Sequence, residues 1–531
     1  MSNIRDLIEN PHPIFTSNYQ FWNFLLDSYE GGKDYSQAQM YYAKPTGTGR
    51  DLKMQLFAGS NNAVTTLGGN LFKHPKETSN DYSNRLAMSY YYNFCAPIID
   101  IYTDHLFKQP INEDFGSIEE LVEERKENID NKQSSINEFR KDMAEMAQVY
   151  GHIFVITDSL SYEGDVLSLA DVFSNNLLPY FTIHHPQNIL NWALDEFGSP
   201  YWVVVRECLD GNEDPFNYDK QRLELIRYRL WTRKEWVLYD KDYNEIGRGL
   251  HNLGVVPITC IFDKKSKKVR NFLGVSTIAD ISLIARDVYN SCSELKQILR
   301  DQTFAFLAIQ GNSTEYEELS VGTSKGLLYP PDRAMPQYVS PPPANAEVYF
   351  SHIDRQISKM FQLAKLDSGG VSGTVSNPQS IADQQSGVSK AWDFNQTNSA
   401  LSKKAGNLED GETKLWQIFA LAEGREFDGS VEYPNEFSIQ SLKEDLNEAE
   451  QIFRINLGSE FNKEIKSAII KKKFPRMQDE DVQKMIDEMK SQEDRMGQGL
   501  SGSILDRIPS LNRISAFNKT PTQAVNKEGN K

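Results

Sequence analysis

Six apolar side chains, Ile281, Ala285, Val288, Cys292, Leu295 and Leu299, recur at alternating steps of four and three residues. That spacing keeps one narrow face of a helix apolar for about five turns. A stripe so thin encloses no core by itself, so the helix needs neighbours. The residues that follow offer them. A strand-rich stretch over 303–342, in which Phe304 to Ile309 and Gly326 to Tyr329 flank a polar excursion, is closed by Pro341, Pro342 and Pro343. A second helix is predicted over 344–366, then a run of small residues from Asp367 to Pro378, then a long helix from Ser380 or Ile381 to Glu423. Its second half repeats Leu401, Ala405, Leu408, Leu415, Phe419 and Ala422, with Glu412 breaking the series. Gly387, Gly406 and Gly411 each weaken it by ~1 kcal/mol relative to Ala, so packing must hold it straight.

The first half of the chain reads as helices followed by a sheet. Ser17 is placed as the cap of a helix carrying Phe21, Trp22, Leu25 and Leu26, which ends before Gly31 and Gly32. Leu86, Tyr90, Phe94, Ile98, Tyr102 and Leu106, four residues apart, predict one helix over 84–108 with Pro97 as its defect. A charged helical segment over 117–149 opens on Ser117 and Glu120, a capping-box spacing. From Gly151 the period becomes that of strands: 152–157, 179–183, 201–206, 224–231 and 235–239, with a hairpin tip at Asp240 to Glu245. Residues 150–262 therefore form a sheet unit covered by the preceding helices, an α+β arrangement. After Pro434, short helices begin at Ser438, Ser459 and Asp479, and residues 494–531 have the composition of a mobile tail.

Composition excludes more than it proposes. With 531 residues there is room for three or four domains. The 57 Lys and Arg against 74 Asp and Glu give a charge of −17, which disfavours a tight, sequence-reading nucleic-acid binder but does not exclude a protein that DNA slides past. Cys95, Cys208, Cys260 and Cys292 are too scattered for a disulfide framework or a zinc site, and read as free thiols. There is no signal-peptide pattern and no apolar run near the ~18 residues a membrane span needs, so a chain made and kept in a cytosol, unless something carries it out, is expected. His184 and His185 lack a third ligand at helical offset. The glycine clusters at 47–49, 68–69 and 369–373 lack the Lys-Ser or Lys-Thr of a phosphate loop. No serine has a nucleophile-elbow context. The basic runs 264–270 and 471–473 read as a solvated linker loop and a helix C-terminus. No cofactor and no catalytic residue is expected.

In this order of segments the chain resembles the portal proteins of tailed double-stranded DNA phages. Local wording agrees. Residues 92–99 look like the helix placed early in the portal wing, and Ala147 to His152 look like the Tyr-Gly entry into its sheet. Phe272 to Ser276 look like the Gly-x-Ser start of the first stem helix, and Gln385 to Phe394 are similar to the start of the tunnel helix. The resemblance covers roughly residues 15 to 490 and rests on segment order more than on any one motif.

What it implies is a fold of wing, stem helices, strand-containing clip, long tunnel helix and helical crown. The wing would be 1–275, stem helix 1 residues 276–300, and the clip 301–343. Stem helix 2 would be 344–366 and the tunnel loop 367–380. The long helix with wing return would be 381–437, the crown 438–493, and the tail 494–531. The six-residue stripe would be the stem packing. Asp367, Ser368, Gly369, Gly370, Val371, Ser372, Gly373, Thr374, Val375, Ser376 and Asn377, bordered by Lys359, Lys365 and Lys390, would face DNA. Phe306, Ile309, Leu327, Leu328, Tyr329 and Arg333 would belong to the clip surface that meets partners. The resemblance implies a dodecameric ring at one capsid vertex of the virion, passing double-stranded DNA. It also implies partners: the terminase large subunit, head-tail connector or adaptor proteins, and the major capsid and scaffolding proteins. Two other readings compete with it. One is a cytosolic metal-dependent nucleic-acid enzyme built on Asp158 and Asp165; the other is a virion adaptor or minor head protein.

Overall fold

The computed structural model describes residues 4–37, 70–159, 177–210, 224–251, 253–267, 272–303, 306–308, 335, 337–339, 342–366, 387–435 and 437. Among the described residues, seven α-helices lie in the first 150: α1 (Ile4–Glu9), α2 (Pro13–Glu30), α3 (Gly32–Gln37), α4 (Ser79–Met88), α5 (Cys95–Leu106), α6 (Glu119–Arg125) and α7 (Ile136–Tyr150). The short strand β1 (Asn112–Asp114) lies among them. Two antiparallel sheets follow. The first has the order β3 (Tyr180–His184), β2 (His152–Asp158), β9 (Ile258–Phe262). The second is a meander of β4 (Ile189–Leu194), β5 (Pro200–Asp210), β6 (Glu224–Thr232), β7 (Glu235–Tyr239) and β8 (Glu245–Leu250). Then come α8 (Ala279–Thr303), β10 (Phe306–Ala308), β11 (Gln337–Val339), α9 (Pro343–Leu363), α10 (Gly387–Ala422) and β12 (Ser430–Glu432), which pairs with β1. The described part is thus a mixed α+β structure.

Local chemistry explains the boundaries, including those the sequence pattern misplaces. Helix α2 starts at Pro13 and not at Ser17, because Pro13 fits a first helical turn and His12 Nδ1 accepts the Ile14 N–H at 3.2 Å. The helix expected over 84–108 is two helices. Met88 ends α4, and Asn93 Oδ1 accepts the N–H groups of Cys95 and Ala96, which starts α5 and leaves Pro97 harmless in its first turn. The segment over 117–149 is also interrupted, and the capping box belongs to Ser135 and Glu138 at the head of α7. Ser117 instead donates its hydroxyl to the Glu426 carbonyl at 2.7 Å.

Strand β2 is buried over its first six residues because β3 and β9 flank it and layers cover both faces. Helix α10 lies against this sheet. Trp416 and Phe419 interlock with Phe115 and Phe181 at centroid distances of 4.8 to 5.9 Å. Leu401, Ala405, Leu408, Leu415 and Phe419 are all buried. Glu412, which breaks the apolar series, is buried on the same face. Arg140 of α7 donates to its Oε1 from Nε at 2.9 Å and Nη2 at 2.6 Å, and Tyr433 donates to Oε2 at 2.7 Å. Arg140 Nη1 reaches Glu113 at 2.7 Å. Gly411 is no mere weak point either, since a Cβ there would come within 2.5 Å of Ile261 Cδ1.

Residues 438–531, with the expected crown and tail, lie outside the described residues, as do the glycines at 47–49 and 68–69, the loop 367–380, and Lys471 to Lys473.

Two outcomes follow from these contacts. Glu412→Leu leaves the Arg140 guanidinium with Glu113 alone and lowers unfolding free energy by about 3–5 kcal/mol, while Arg140→Met/Glu412→Leu recovers part of it, as read by urea denaturation. Gly411→Ala overpacks the α10–β9 contact and destabilises by about 1–3 kcal/mol. Ile261→Val removes the clashing methyl, so in that background Gly411→Ala recovers up to ~1 kcal/mol of helix propensity, by the same measurement.

Candidate functional site

Helices α8 and α9 form an antiparallel hairpin. Between them the chain leaves α8 through β10 and returns through β11, and the two strands pair with Phe306 opposite Val339. The strand-rich excursion is therefore gathered at its base. With 25 residues α8 is about 37 Å long.

Most of the stripe on α8 packs into the main apolar core. Ile281, Ala285, Val288 and Leu295 are buried, Cys292 is half-buried, and Leu299 is 41% exposed near the helix end. Ile353 and Met360 are the buried residues of α9's middle and last turns. A polar row flanks the seam: Tyr349 donates to Glu294 at 2.8 Å, and Asp287 meets His352 and Gln356 at 3.0 Å each. The opposite side of α8 is moored to the body by polar side chains that apolar periodicity does not detect. Asn290 Oδ1 accepts the Phe72 N–H at 2.8 Å while its Nδ2 donates to the Asn70 carbonyl at 3.0 Å. Arg85, paired with Glu77, donates to Ser293 at 3.2 Å. The Arg286 guanidinium lies 4.8 Å from the Phe24 ring centroid and 5.3 Å from that of Phe72.

The hairpin is rooted in a buried polar joint. Helix α7 ends at Gly151, whose φ of 85° and lack of a side chain let residues 274–276 pass directly over it. Gly274 in turn has no room for a Cβ against the Gly151 carbonyl. The Gly274 N–H goes to His152 Nδ1 at 3.2 Å, and the Thr277 N–H to the Gln148 carbonyl at 3.0 Å. Thr277 donates its hydroxyl to Asp263 Oδ2 at 2.7 Å. Lys404 of α10 donates to both Asp263 and Thr277, and its ammonium lies 5.1 Å from the Tyr102 ring centroid. The Tyr102 hydroxyl donates to the Ala364 carbonyl just beyond α9. Burial pulls the Lys404 pKa down and Asp263 pulls it back. One ammonium thus joins β9, α8 and α10, with α5 and the end of α9 one contact away. Ser276 and Thr277, expected inside the first stem helix, lie in this joint ahead of α8.

Lys365 is exposed, with φ of 54°, and closes the C-terminal end of α9, where the Leu366 N–H goes to the Phe361 carbonyl at 3.1 Å; its own carbonyl accepts the Thr397 hydroxyl. Lys359 is exposed on α9. Lys390 lies within α10 and Phe306 within β10, but their side chains are outside the described residues. So are Asp367 to Asn377, Ile309, Leu327, Leu328, Tyr329 and Arg333.

The features weighed for catalysis are engaged structurally. Asp158 accepts from Arg229 at 2.9 Å and from Tyr180 at 3.4 Å; Asp165 is outside the described residues. His184 contacts Thr182 at 3.1 Å and His185 contacts Tyr150 at 3.2 Å. Among the described residues no group of three or more His, Cys, Asp or Glu is placed to hold a metal ion, and no helix is long and apolar enough to cross a membrane.

No protein-family model and no curated protein matches the chain. Solved structures superpose loosely. A chain from the virion of a native gene transfer agent particle aligns at a TM-score of 0.35 and 10% identity, over 68% of this chain and 84% of that one. A chain from the neck of the empty particle, computed with C6 symmetry, gives 0.38 and 9% over 70% and 88%. One from the neck of the native particle, computed with C12 symmetry, gives 0.37 and 10% over 70% and 88%. Superpositions this loose do not define a shared fold.

His152 makes the joint sensitive to acid. Burial pushes its pKa down to about 3, against about 6.5 in the unfolded chain. The unfolded state therefore takes up a proton that the folded state refuses, and stability present above pH 6.5 drains away as pH falls toward 3. His152→Asn keeps an acceptor for Gly274 but does not titrate. It should reduce the slope of unfolding free energy between pH 6 and 4 by about 1.4 kcal/mol per pH unit, measured by urea denaturation.

Proposed function

We propose that this chain is a portal protein: one subunit of a ring-shaped channel at a single capsid vertex, through which double-stranded DNA enters and leaves a tailed phage head. The observation that carries this reading is the α8–α9 hairpin, gathered at its strand-bearing end by β10 and β11 and rooted beside a 36-residue helix that crosses the body. The order α8, β10, β11, α9 and α10 supports this reading because it is the segment order that resembles a portal. Within one chain α9 leaves Val348, Phe350 and Leu363 more than half exposed, and α8 leaves Leu283 and Leu299 so by about two-fifths. A closed ring with head-to-tail contacts gives each arm a different neighbour on each side.

In this reading α8 and α9 are the stem and the stretch between them is the clip. The clip meets the terminase large subunit during packaging and head-tail connector proteins afterwards. Residues 367–380 line the tunnel, where small side chains let many copies crowd one axis and weak contacts from Lys359, Lys365 and Lys390 let DNA slide. The chain works without turnover of its own. It resides in the virion after assembly in the host cytoplasm, alongside capsid and scaffolding proteins.

Mass photometry and negative-stain imaging of the purified chain test this. Twelve chains of 60.6 kDa form a ring of about 0.7 MDa with a central hole. A chain that stays monomeric even with capsid and scaffolding protein, and that cleaves DNA when magnesium is added, would overturn the reading. Deleting Ser368 to Asn377 should leave rings intact and abolish DNA packaging; loss of the rings themselves would refute the loop's placement.

A further inference from the structure

Beside the outer edge of β9 lies a groove of about 650 Å³. Among the described residues β9 is an outer strand of its sheet. Its pairing with β2 fixes which backbone groups are engaged. Pro257 O accepts the Thr157 N–H at 2.9 Å, and the Asp263 N–H goes to Gly151 O at 3.0 Å. By alternation, Thr259 and Ile261 also bond toward β2, and the backbone groups of Cys260 and Phe262 turn toward the groove. An open edge of this kind is a template for another strand.

The walls differ on the two sides. On one, Gly411 brings α10 against Ile261, and Lys414 and Ile418 of α10 line the groove. On the other, Cys260 shares its face with Phe154, whose ring meets Phe272 edge-on at 5.2 Å, and Leu194 and Val256 extend that apolar surface. Side chains of an added strand would point alternately at the two walls.

The rim is basic in a chain whose overall charge is −17. Lys264, Lys265 and Lys267 follow directly on β9 and are exposed, as is Lys414. Two acidic groups offset part of this. Asp410 lies 3.7 Å from Lys265, both largely exposed, and Asp195 pairs with Arg233 at 2.6 Å. The surplus remains positive on the α10 side. The basic run that reads from sequence as a solvated loop is thus the border of an apolar groove.

We propose that this groove receives, by strand addition to β9, an extended segment of a partner protein in which acidic residues alternate with apolar ones. The acids meet Lys265 and Lys414, the apolar residues meet Phe272, Leu194 and Val256, and the main chain bonds to Cys260 and Phe262. Charge complementarity selects the partner and makes binding salt-sensitive. The site does not depend on ring formation, and ring mass and peptide affinity are read separately.

The test uses the full chain and a fluorescein-labelled peptide of three Glu-Val repeats, with a Lys-Val peptide of equal length as control. Fluorescence anisotropy should show saturable binding of the Glu-Val peptide only. Lys265→Glu/Lys414→Glu should weaken it about tenfold or more, while Lys265→Arg/Lys414→Arg retains it. Amide exchange resolved by residue should slow at Cys260 and Phe262 on binding and stay unchanged at Thr259 and Ile261. Equal affinity for the wild-type and charge-reversed chains, binding of the Lys-Val peptide, or no added protection at Cys260 and Phe262 would each overturn the proposal. So would a charge-reversed variant that changes the assembly mass and not the peptide affinity, which would assign the groove to a second copy of this chain.

Discussion

Gly151 and Gly274 come so close that neither can carry a side chain, and much of the architecture hangs on that approach. Gly151 turns α7 into β2, the central strand of the three-stranded sheet. Gly274 lies on the segment that leads into α8. Any Cβ between them would lift that segment off the sheet, and Thr277 would lose both the Gln148 carbonyl and Asp263. Because cores are close-packed, a shift of that size does not dissipate locally.

The same economy of position appears on α10, where two buried charges sit eight residues apart on one face: Lys404, held by Asp263, and Glu412, held by Arg140. Their signs are opposite. Sliding the helix along the sheet, or rotating it, would present an ammonium to Arg140 or a carboxylate to Asp263. Removing a single partner of such a pair is severely destabilising, whereas the intact pair adds little net stability over an apolar substitute. Apolar side chains such as Leu401, Leu408 and Phe419 supply the affinity of α10 for the sheet, and the charges fix its register.

How much of this was legible beforehand depends on the kind of interaction. Strands over 152–157, 201–206, 224–231 and 235–239 stand out because β-branched and aromatic runs signal burial directly. β4 and β8 escaped: Asn191 interrupts the first, where its side chain bonds to the Leu7 and Asn10 carbonyls, and glycines interrupt the second, where Trp236 lies against Gly249. The α8 stripe was readable as a stripe, but not the mooring of the opposite face, since Asn290, Ser293 and Arg286 look like solvent-facing residues until their partners are known. Glu412 looked like a flaw for the same reason. Periodicity reports apolar burial and is blind to polar burial, which depends on a partner such as Arg140, 272 residues away in the chain. The glycines of the Val-Tyr-Gly-His and Phe-Leu-Gly-Val-Ser segments were visible as words, and their mutual contact was not.

The Tyr102 bond to the Ala364 carbonyl has a mechanical meaning. A pull on β10 and β11 travels up α9 as axial tension and is taken at its far end by Tyr102, beneath which Lys404 lies. The same pull travels up α8 into Thr277 and reaches Lys404 from the other side. Both arms of the hairpin therefore end on one anchor. Loads on the two arms point the same way there and add, and a difference in load between the arms becomes a torque on α10.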